Sequence, residues 1–329
     1  MLHLEPEGYV KLAQDPLYGR YFVANQDIKA GQKILVSTPI ASIVDHASKH
    51  IVCSKCLTSN SPPNNFKCQE CDYSYCSKEC MEMDKADHTL ECSFKLSGNF
   101  PDQGYVSDYF DLLKRILIKA TKFPSDPDVQ IVYSAVDNFS SFSNEKTKEF
   151  YNVALQLEQF CQSIGYKMPD FPTKEFNRIQ SRYSVELSPL TASLVSLIAK
   201  EECNSFGLYY STTNKEPRKG YGLAFFPTAI FFNHSCDPNV SYYKSNNQYE
   251  FFTVVPVKKG ESLYISYLDF STNTQERKQI LKQVFHFDCG CRVCNGAEFQ
   301  QSKWLCDECK GFMKPEVEQW ICTSCKKLN

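Results

Sequence analysis

Cysteine spacing constrains this chain more than any other feature of its sequence. The chain has 17 cysteines, and between residues 53 and 92 they form four regular pairs with one histidine: Cys53-x2-Cys56, Cys68-x2-Cys71, Cys76-x3-Cys80 and His88-x3-Cys92. Each pair presents two donors on one turn or one helix face, which suits a tetrahedral zinc ion. Eight donors predict two zinc ions, and the regular spacing disfavours the alternative of buried free cysteines.

Two further cysteine groups follow near the end of the chain. The first group supplies three donors: Cys289, Cys291 and Cys294. A zinc ion bound there needs a fourth ligand from elsewhere, or it keeps an open coordination position as a catalytic ion does. The open alternative is disfavoured, because the donors are all thiolates and no carboxylate base follows at a hydrolase spacing. The last group has the spacing of a zinc ribbon: Cys306-x2-Cys309 and Cys322-x2-Cys325.

The composition predicts a globular protein. The 329 residues are 42% hydrophobic, which is enough apolar material for a sizeable core. A formal charge of -2 disfavours binding to nucleic acid through the net field of the protein. No apolar run approaches the ~18 residues of a membrane helix, and the first twenty residues lack the apolar core of a secretory signal. We therefore expect no membrane association, and location in the nucleus, the cytoplasm or both.

Hydrophobic periodicity changes twice along the chain. Residues 1 to 45 read as short strands with tight turns, and helical spacing follows from about 107 to 200, where we expect three or four helices. Cys161 falls on an apolar face of this helical third, where a core role is expected. A helix is expected from about Thr274 to Phe285. Strand character returns before it, at 222–232, 240–243, 250–256 and 262–267.

A polar heptapeptide, Asn233-His234-Ser235-Cys236-Asp237-Pro238-Asn239, follows the apolar run Leu223 to Phe232. A buried strand thus delivers an amide, an imidazole and a thiol to one tight loop, which indicates a site. About one hairpin later comes the strand Gly260-Glu261-Ser262-Leu263-Tyr264-Ile265-Ser266-Tyr267.

These segments, together with Gly19-Arg20-Tyr21-Phe22, Asn204-Ser205-Phe206 and the cysteines at 289 to 294, occur in one order along nearly the whole chain. In that order they resemble the SET and MYND domain family of lysine methyltransferases. The resemblance implies an α+β fold, in which a SET domain of small sheets is split by a MYND zinc finger and a helical insert. The implied segments are 1–50 (N-terminal SET), 51–92 (MYND finger), 93–203 (helical insert), 204–272 (C-terminal SET), 273–297 (helix and post-SET zinc cluster) and 298–329 (an additional zinc ribbon).

The resemblance also implies how the zinc ligands are shared. The pairs of the finger interleave, and the post-SET cysteines take their fourth thiolate from the polar loop. About four zinc ions are expected. Their ligand sets are Cys53, Cys56, Cys76 and Cys80; Cys68, Cys71, His88 and Cys92; Cys236, Cys289, Cys291 and Cys294; and Cys306, Cys309, Cys322 and Cys325.

For the chemistry, the resemblance implies methyl transfer from S-adenosylmethionine to a lysine amine. Tyr267 matches the tyrosine whose hydroxyl orients the amine, and Phe206 matches an aromatic wall of the lysine channel. The matched cofactor contacts are Arg20, Asn204, Asn233, His234, Phe285 and Phe287. Plainer roles remain open for several of them: Tyr267 as a strand aromatic, Asn233 as a turn residue, His234 as a buried hydrogen-bonded histidine, and Phe285 and Phe287 as core.

Two departures from the family keep a second function open. Tyr21 stands where the family loop has its second glycine, and a tyrosine there could crowd the cofactor. A short zinc ribbon also replaces the C-terminal helical repeats of many relatives. The alternative is a zinc-rich adaptor with a weakened SET domain, and a nucleic-acid-binding zinc protein ranks third because no basic recognition helix is present.

The expected partners follow from the same resemblance. They are a protein with an accessible lysine, on a histone tail or elsewhere, and a short peptide bound by the finger. We expect a monomer and no direct binding to nucleic acid.

Overall fold

The computed structural model describes residues 8–16, 19–58, 66–94, 105–209, 219–268, 273–297, 306, 308, 313–316, 319–322 and 325–328. The chain forms two compact units. Unit 1 consists of Met1–Thr38, Tyr210–Lys219 and Thr228–Asn329, and unit 2 consists of Pro39–Tyr209 and Gly220–Pro227. Each unit therefore joins segments that are far apart in the sequence.

The α-helices are α1 (Lys78–Ser93), α2 (Tyr105–Lys122), α3 (Pro127–Ser134), α4 (Asn144–Ile164), α5 (Thr173–Gln180), α6 (Pro189–Asn204) and α7 (Thr274–Val284). Short 3-10 helices cover Phe139–Ser141 and Ala229–Phe231. The strands are β1 (Val10–Asp15), β2 (Gly19–Ala24), β3 (Lys33–Ser37), β4 (Ala41–Val44), β5 (Phe66–Lys67), β6 (Ser74–Tyr75), β7 (Phe206–Tyr209), β8 (Gly220–Phe225), β9 (Asn233–His234), β10 (Val240–Ser245), β11 (Gln248–Thr253), β12 (Tyr264–Ile265), β13 (Met313–Glu316) and β14 (Gln319–Cys322). Among the described residues, no helix has both the length and the apolar content of a membrane span.

Unit 1 is built from small sheets. β1 pairs with β2, β11 lies between β10 and β3, β13 pairs with β14, and β9 and β12 form a short parallel pair. The β10–β11 hairpin turns at Asn246, whose φ of 54° is a left-handed conformation that asparagine tolerates. Gly260, with φ of 87°, forms the turn that leads to β12.

An aromatic core lies directly beneath the polar loop of unit 1. Phe22 makes edge contacts with Phe231 and Phe232, with ring centroids 5.6 and 5.0 Å apart. Phe232 also stacks on Phe251 at 4.7 Å. The apolar run before Asn233 therefore ends in packed rings, which give the polar loop a rigid base.

Unit 2 has α2 at its centre, in contact with α1, α4, α6 and β4. Five α-helices occupy residues 105–204, more than the three or four expected from the sequence. Prolines explain the difference: Pro127 and Pro189 occupy the first turns of α3 and α6, and Pro172 precedes α5. A hydrophobic pattern can continue across such short breaks. Proline, however, disrupts a helix interior and is tolerated in the first turn, so a new helix begins at or after each of these prolines.

The finger segment of unit 2 is formed by the β5–β6 pair and α1. Ser77 caps α1 by accepting a hydrogen bond from the Cys80 main-chain nitrogen at 3.2 Å. The predicted α+β class, with small sheets, helices and clusters of cysteine and histidine that could hold zinc, is thus confirmed. The segment boundaries stay predictions.

Candidate active site and zinc centres

The first finger centre consists of Cys53, Cys56, Cys76 and Cys80 in unit 2. Their sulfur atoms lie within 4.8 Å of one another, with Cys56 and Cys76 3.5 Å apart and Cys76 and Cys80 3.4 Å apart. Four thiolates bound tetrahedrally to one zinc at ≈ 2.3 Å stand about 3.8 Å apart. The spacing therefore fits a zinc ion, and pairs distant in sequence interleave in the order that the resemblance implies.

The second finger centre consists of Cys68, Cys71, His88 and Cys92. Cys68 and Cys92 lie 3.7 Å apart, and His88 Nε2 lies 3.5 Å from Cys71 Sγ. Nε2 is thus the nitrogen turned to the metal position. The other ring nitrogen, Nδ1, lies 3.8 Å from Glu91 Oε2, which fits the outer carboxylate that orients many zinc-bound histidines.

The post-SET centre of unit 1 consists of Cys236, Cys289, Cys291 and Cys294. Cys236 comes from the polar loop and lies 3.6 Å from Cys294. The pKa of Cys289 lies well below its usual range, because the Cys236 thiol and then His234 hydrogen-bond to it. The thiolate form, which zinc requires, is therefore favoured at Cys289, whereas the same hydrogen bond, followed by burial, raises the pKa of Cys236. Since four thiolates close the tetrahedron, the alternative of an open catalytic zinc is not supported.

The ribbon centre brings together Cys306, Cys322 and Cys325, with Cys306 and Cys325 3.5 Å apart. The fourth predicted ligand, Cys309, lies outside the described residues. Trp320 packs against Phe252 of β11, with centroids 5.9 Å apart, so a ribbon residue contacts the β10–β11–β3 sheet inside unit 1.

Tyr267 lies at the centre of the predicted reaction site. It follows β12, which pairs with β9, so the backbone places it beside the polar loop. Its hydroxyl donates to the Phe232 carbonyl at 2.8 Å. Phe285 and Phe287 approach its ring, with centroids 5.1 and 6.3 Å away. Burial raises the pKa of Tyr267, so its hydroxyl stays protonated at neutral pH.

The imidazole of His234 is engaged at both nitrogens. Nδ1 accepts a hydrogen bond from the Tyr267 main-chain N–H at 3.0 Å, and Nε2 lies 3.4 Å from Cys236 Sγ. The ring is buried, with 8% of the residue exposed. Its contact with the cofactor stays a prediction.

Arg20 lies next to the residues that precede the polar loop of unit 1, and Asn233 begins that loop. The guanidinium of Arg20 lies over the Phe231 ring, 5.0 Å from its centroid, and burial lowers the pKa of Arg20. Asn233 is half-buried at the start of β9. Tyr21, which replaces the family glycine, sits within β2 opposite Ala13 in regular strand pairing. Positive φ occurs at Gly19, so the position of Tyr21 does not itself require glycine.

Two predicted site residues belong to unit 2. Asn204 ends α6, and its side-chain nitrogen donates to the carbonyls of Val136 and Lys200, each at 2.7 Å. Phe206 begins β7 and packs edge-on against Phe226, with centroids 5.5 Å apart. Their roles in binding and catalysis stay predictions.

Two supporting contacts were not predicted from the sequence. Asn239 accepts from the Tyr264 main-chain nitrogen and donates to the Ser262 carbonyl, each at 2.8 Å, so it fixes the approach to β12. Arg292 pairs with Asp237 and joins the post-SET cysteines to the polar loop. The polar loop contains both Asn239 and Asp237, but their partners depend on tertiary pairing.

Comparisons with known proteins agree with this arrangement. The SET domain family model matches residues 19–268. A SET and MYND domain-containing protein of Dictyostelium discoideum is 26% identical over an alignment of 367 residues that covers 94% of each chain. The histone-lysine N-methyltransferase SMYD3 of Mus musculus is 27% identical over 270 residues, covering 81% of this chain and 57% of that protein.

Among solved structures, the SET domain of LSMT bound to lysine and AdoHcy aligns with 87% of this chain and 54% of its own, at 14% identity and a TM-score of 0.39. The chain spans little more than half the length of the mouse relative. The family model covers most of the chain, and the cysteine and histidine clusters of the finger segment fit a MYND-type zinc finger. The chain therefore belongs to the SET-domain family, and over most of its length it is similar to SET and MYND domain-containing proteins.

Proposed function

We propose that this chain is a protein-lysine N-methyltransferase that uses S-adenosylmethionine. The observation that carries the proposal is the setting of Tyr267. Its hydroxyl is held by the Phe232 carbonyl, one residue before Asn233, while Phe285 and Phe287 line its ring. This is the tyrosine that the family resemblance puts at the methyl-transfer site.

The described residues of unit 1 fit the cofactor that the family uses. Phe285 and Phe287 are half-buried, so each ring keeps an accessible surface that suits stacking on adenine. Asn233 and Arg20 would hold its polar groups. When bound, S-adenosylmethionine supplies a sulfonium methyl group, whose carbon an amine lone pair can attack while the S–C bond breaks and the neutral thioether leaves.

Tyr267 can prepare the lysine for this reaction. A lysine amine in water has a pKa near ~10.4 and carries a proton, so it reacts only after desolvation and loss of that proton. The Tyr267 proton is committed to the Phe232 carbonyl. Its oxygen lone pairs can therefore accept a hydrogen bond from the neutral amine and orient it, and such alignment supplies much of the acceleration in a displacement.

The test is methyl transfer by the purified zinc-loaded protein. It should bind S-adenosylmethionine in calorimetry, transfer radiolabelled methyl to proteins of a cell extract, and yield methyl-lysine after hydrolysis. Tyr267→Phe should bind the cofactor and transfer far less. Cofactor binding without transfer to histones or to any extract protein would overturn the proposal in favour of the zinc-rich adaptor.

The finer assignments are also proposals. We infer that the target lysine lies on a histone tail or on another protein, because the mouse relative is named a histone-lysine N-methyltransferase and the family accepts protein substrates. The finger binds a short peptide. The chain is a monomer, and it is located in the nucleus, the cytoplasm or both. Methyl-site mapping, peptide-array binding, light scattering and imaging of a fluorescent fusion test these four points in turn.

A further inference from the structure

The His234 ring lies between a zinc ligand and the backbone of the proposed catalytic tyrosine. On one side the Tyr267 N–H reaches Nδ1 at 3.0 Å, and on the other Cys236 Sγ lies 3.4 Å from Nε2. Cys289 is also within hydrogen-bonding reach of the ring. One side chain thus touches both the post-SET centre and the segment that carries Tyr267.

The contact to Tyr267 determines the tautomer of this ring. A main-chain N–H can only donate, so Nδ1 of His234 must offer its lone pair. The proton of the neutral imidazole is then on Nε2, from which it points to Cys236 Sγ. The ring therefore accepts from the tyrosine backbone and donates to a thiolate.

The ring stands outside the metal tetrahedron. The group of mutually close donors is made of the four sulfurs of Cys236, Cys289, Cys291 and Cys294. A four-thiolate zinc centre carries net negative charge, and an N–H donor to sulfur offsets part of that charge and fixes the sulfur in place. Outer partners of this kind commonly change metal affinity by about 10- to 100-fold.

Two hydrogen bonds hold Tyr267. Its main-chain N–H is held by His234, and its hydroxyl is held by the carbonyl of Phe232. Both partners come from the four residues that lead into Cys236. The orientation of the tyrosine thus depends on the same short segment that supplies the fourth thiolate.

We propose that His234 is a positioning residue that couples zinc binding at the post-SET centre to the placement of Tyr267. The coupling rests on the proposed function only in giving Tyr267 a catalytic role; the physical link exists without it. Loss of zinc frees Cys236, the ring then loses its fixed donor geometry, and the Tyr267 N–H loses its acceptor.

Two substitutions separate the two ends of the ring. In His234→Asn, the amide oxygen can stand near the Nδ1 position and still accept from Tyr267, but no donor reaches Cys236. In His234→Gln, the amide nitrogen can stand near the Nε2 position and still donate to Cys236, but the acceptor for Tyr267 is lost. Each variant is the matched control of the other.

Two measurements on the zinc-loaded full chain follow the two hydrogen bonds of the His234 ring, one to Cys236 and one to the Tyr267 N–H. The first is alkylation of Cys289, Cys291 and Cys294 in the presence of a chelator, followed by mass spectrometry; the cysteines of the finger serve as the internal reference. The second is deuterium uptake at the Tyr267 amide. His234→Asn should expose the post-SET thiols at least about tenfold faster, whereas His234→Gln should mainly speed exchange at Tyr267.

Unmodified protein supplies the test that needs no variant. As a chelator removes zinc from the post-SET centre, exchange at the Tyr267 amide should rise in step with thiol alkylation. Exchange that does not change when this zinc is lost would overturn the coupling.

Neither measurement uses S-adenosylmethionine or a substrate. A chain that fails to transfer methyl but shows coupled exchange would contradict only the proposed function. An active enzyme without the coupling would contradict only the positioning role of His234.

Discussion

The Nε atom of Arg115 on α2 lies 2.8 Å from Glu91 Oε1 on α1, and both side chains are almost fully buried. A second guanidinium nitrogen of Arg115 lies 2.9 Å from Asp84 Oδ2. Glu91 in turn faces the Nδ1 atom of His88, a donor of the second finger centre. One arginine of the helical segment thus neutralises two buried carboxylates of the finger and supports a zinc ligand through one of them.

Replacing this arginine should weaken the finger strongly. Arg115→Met leaves the carboxylates of Asp84 and Glu91 buried without their main counter-charge, and breaking a buried pair in this way typically costs about 3–5 kcal/mol. We expect a lower urea midpoint and faster zinc release at Cys68, Cys71 and Cys92. Lys258→Met, which breaks an exposed pair with Asp27, is the control and should change neither. Equal stability of Arg115→Met and wild type would contradict this account.

The post-SET centre predicts a specific change in metal content. Cys236→Ser removes one of four thiolates, so the zinc content should fall by one ion relative to wild type. Leu281 and Val293, which pack with these cysteines, should lose protection from deuterium exchange. Cys161→Ser replaces another buried cysteine, on α4, and should keep the full zinc content. Unchanged zinc in Cys236→Ser would remove Cys236 from the ligand set.

The zinc centres illustrate what the sequence could predict. Pairs such as Cys53 and Cys56 are set by local geometry, so their spacing alone indicates ligands. The sharing of Cys236 with residues more than fifty positions away depends on tertiary pairing, and only the family resemblance indicated it. The links from Arg115 to Glu91 and from His234 to Tyr267 could not be predicted, because each joins residues that no local pattern relates.

The residue that carries the proposed chemistry gives a direct kinetic prediction. Tyr267→Phe removes the hydroxyl that donates to Phe232 and orients the amine, while the ring contacts with Phe285 and Phe287 remain. Misplacement of a reacting group by about 1 Å can cost roughly 10²-fold, so kcat should fall by about that factor. Cofactor affinity and zinc content should not change.

The matched control for this substitution is Tyr243→Phe, which removes a hydroxyl from the β10–β11 hairpin, where it bonds to Glu250. It should retain wild-type kcat. Full activity in Tyr267→Phe, with the same lysine methylated, would show that the hydroxyl does not orient the amine.

Glu201 on α6 gives the stability of unit 2 a defined pH dependence. Its side chain is fully buried, and burial followed by repulsion from Glu202 raises the pKa of Glu201 to about 8, while Ser205 and Lys146 oppose the shift. The folded protein therefore keeps this proton at pH values where the unfolded chain, with a usual pKa near 4.5, has released it. The contribution of Glu201 to the free energy of unfolding is greatest below about pH 4.5. It falls as the pH rises towards 8, by up to about 1.4 kcal/mol per pH unit. Urea unfolding across this range should show that slope in wild type. The slope should be lost in Glu201→Gln, which keeps the shape of the neutral side chain, and should remain in the control Glu82→Gln on the exposed face of α1. An unchanged slope in Glu201→Gln would assign the proton to another group.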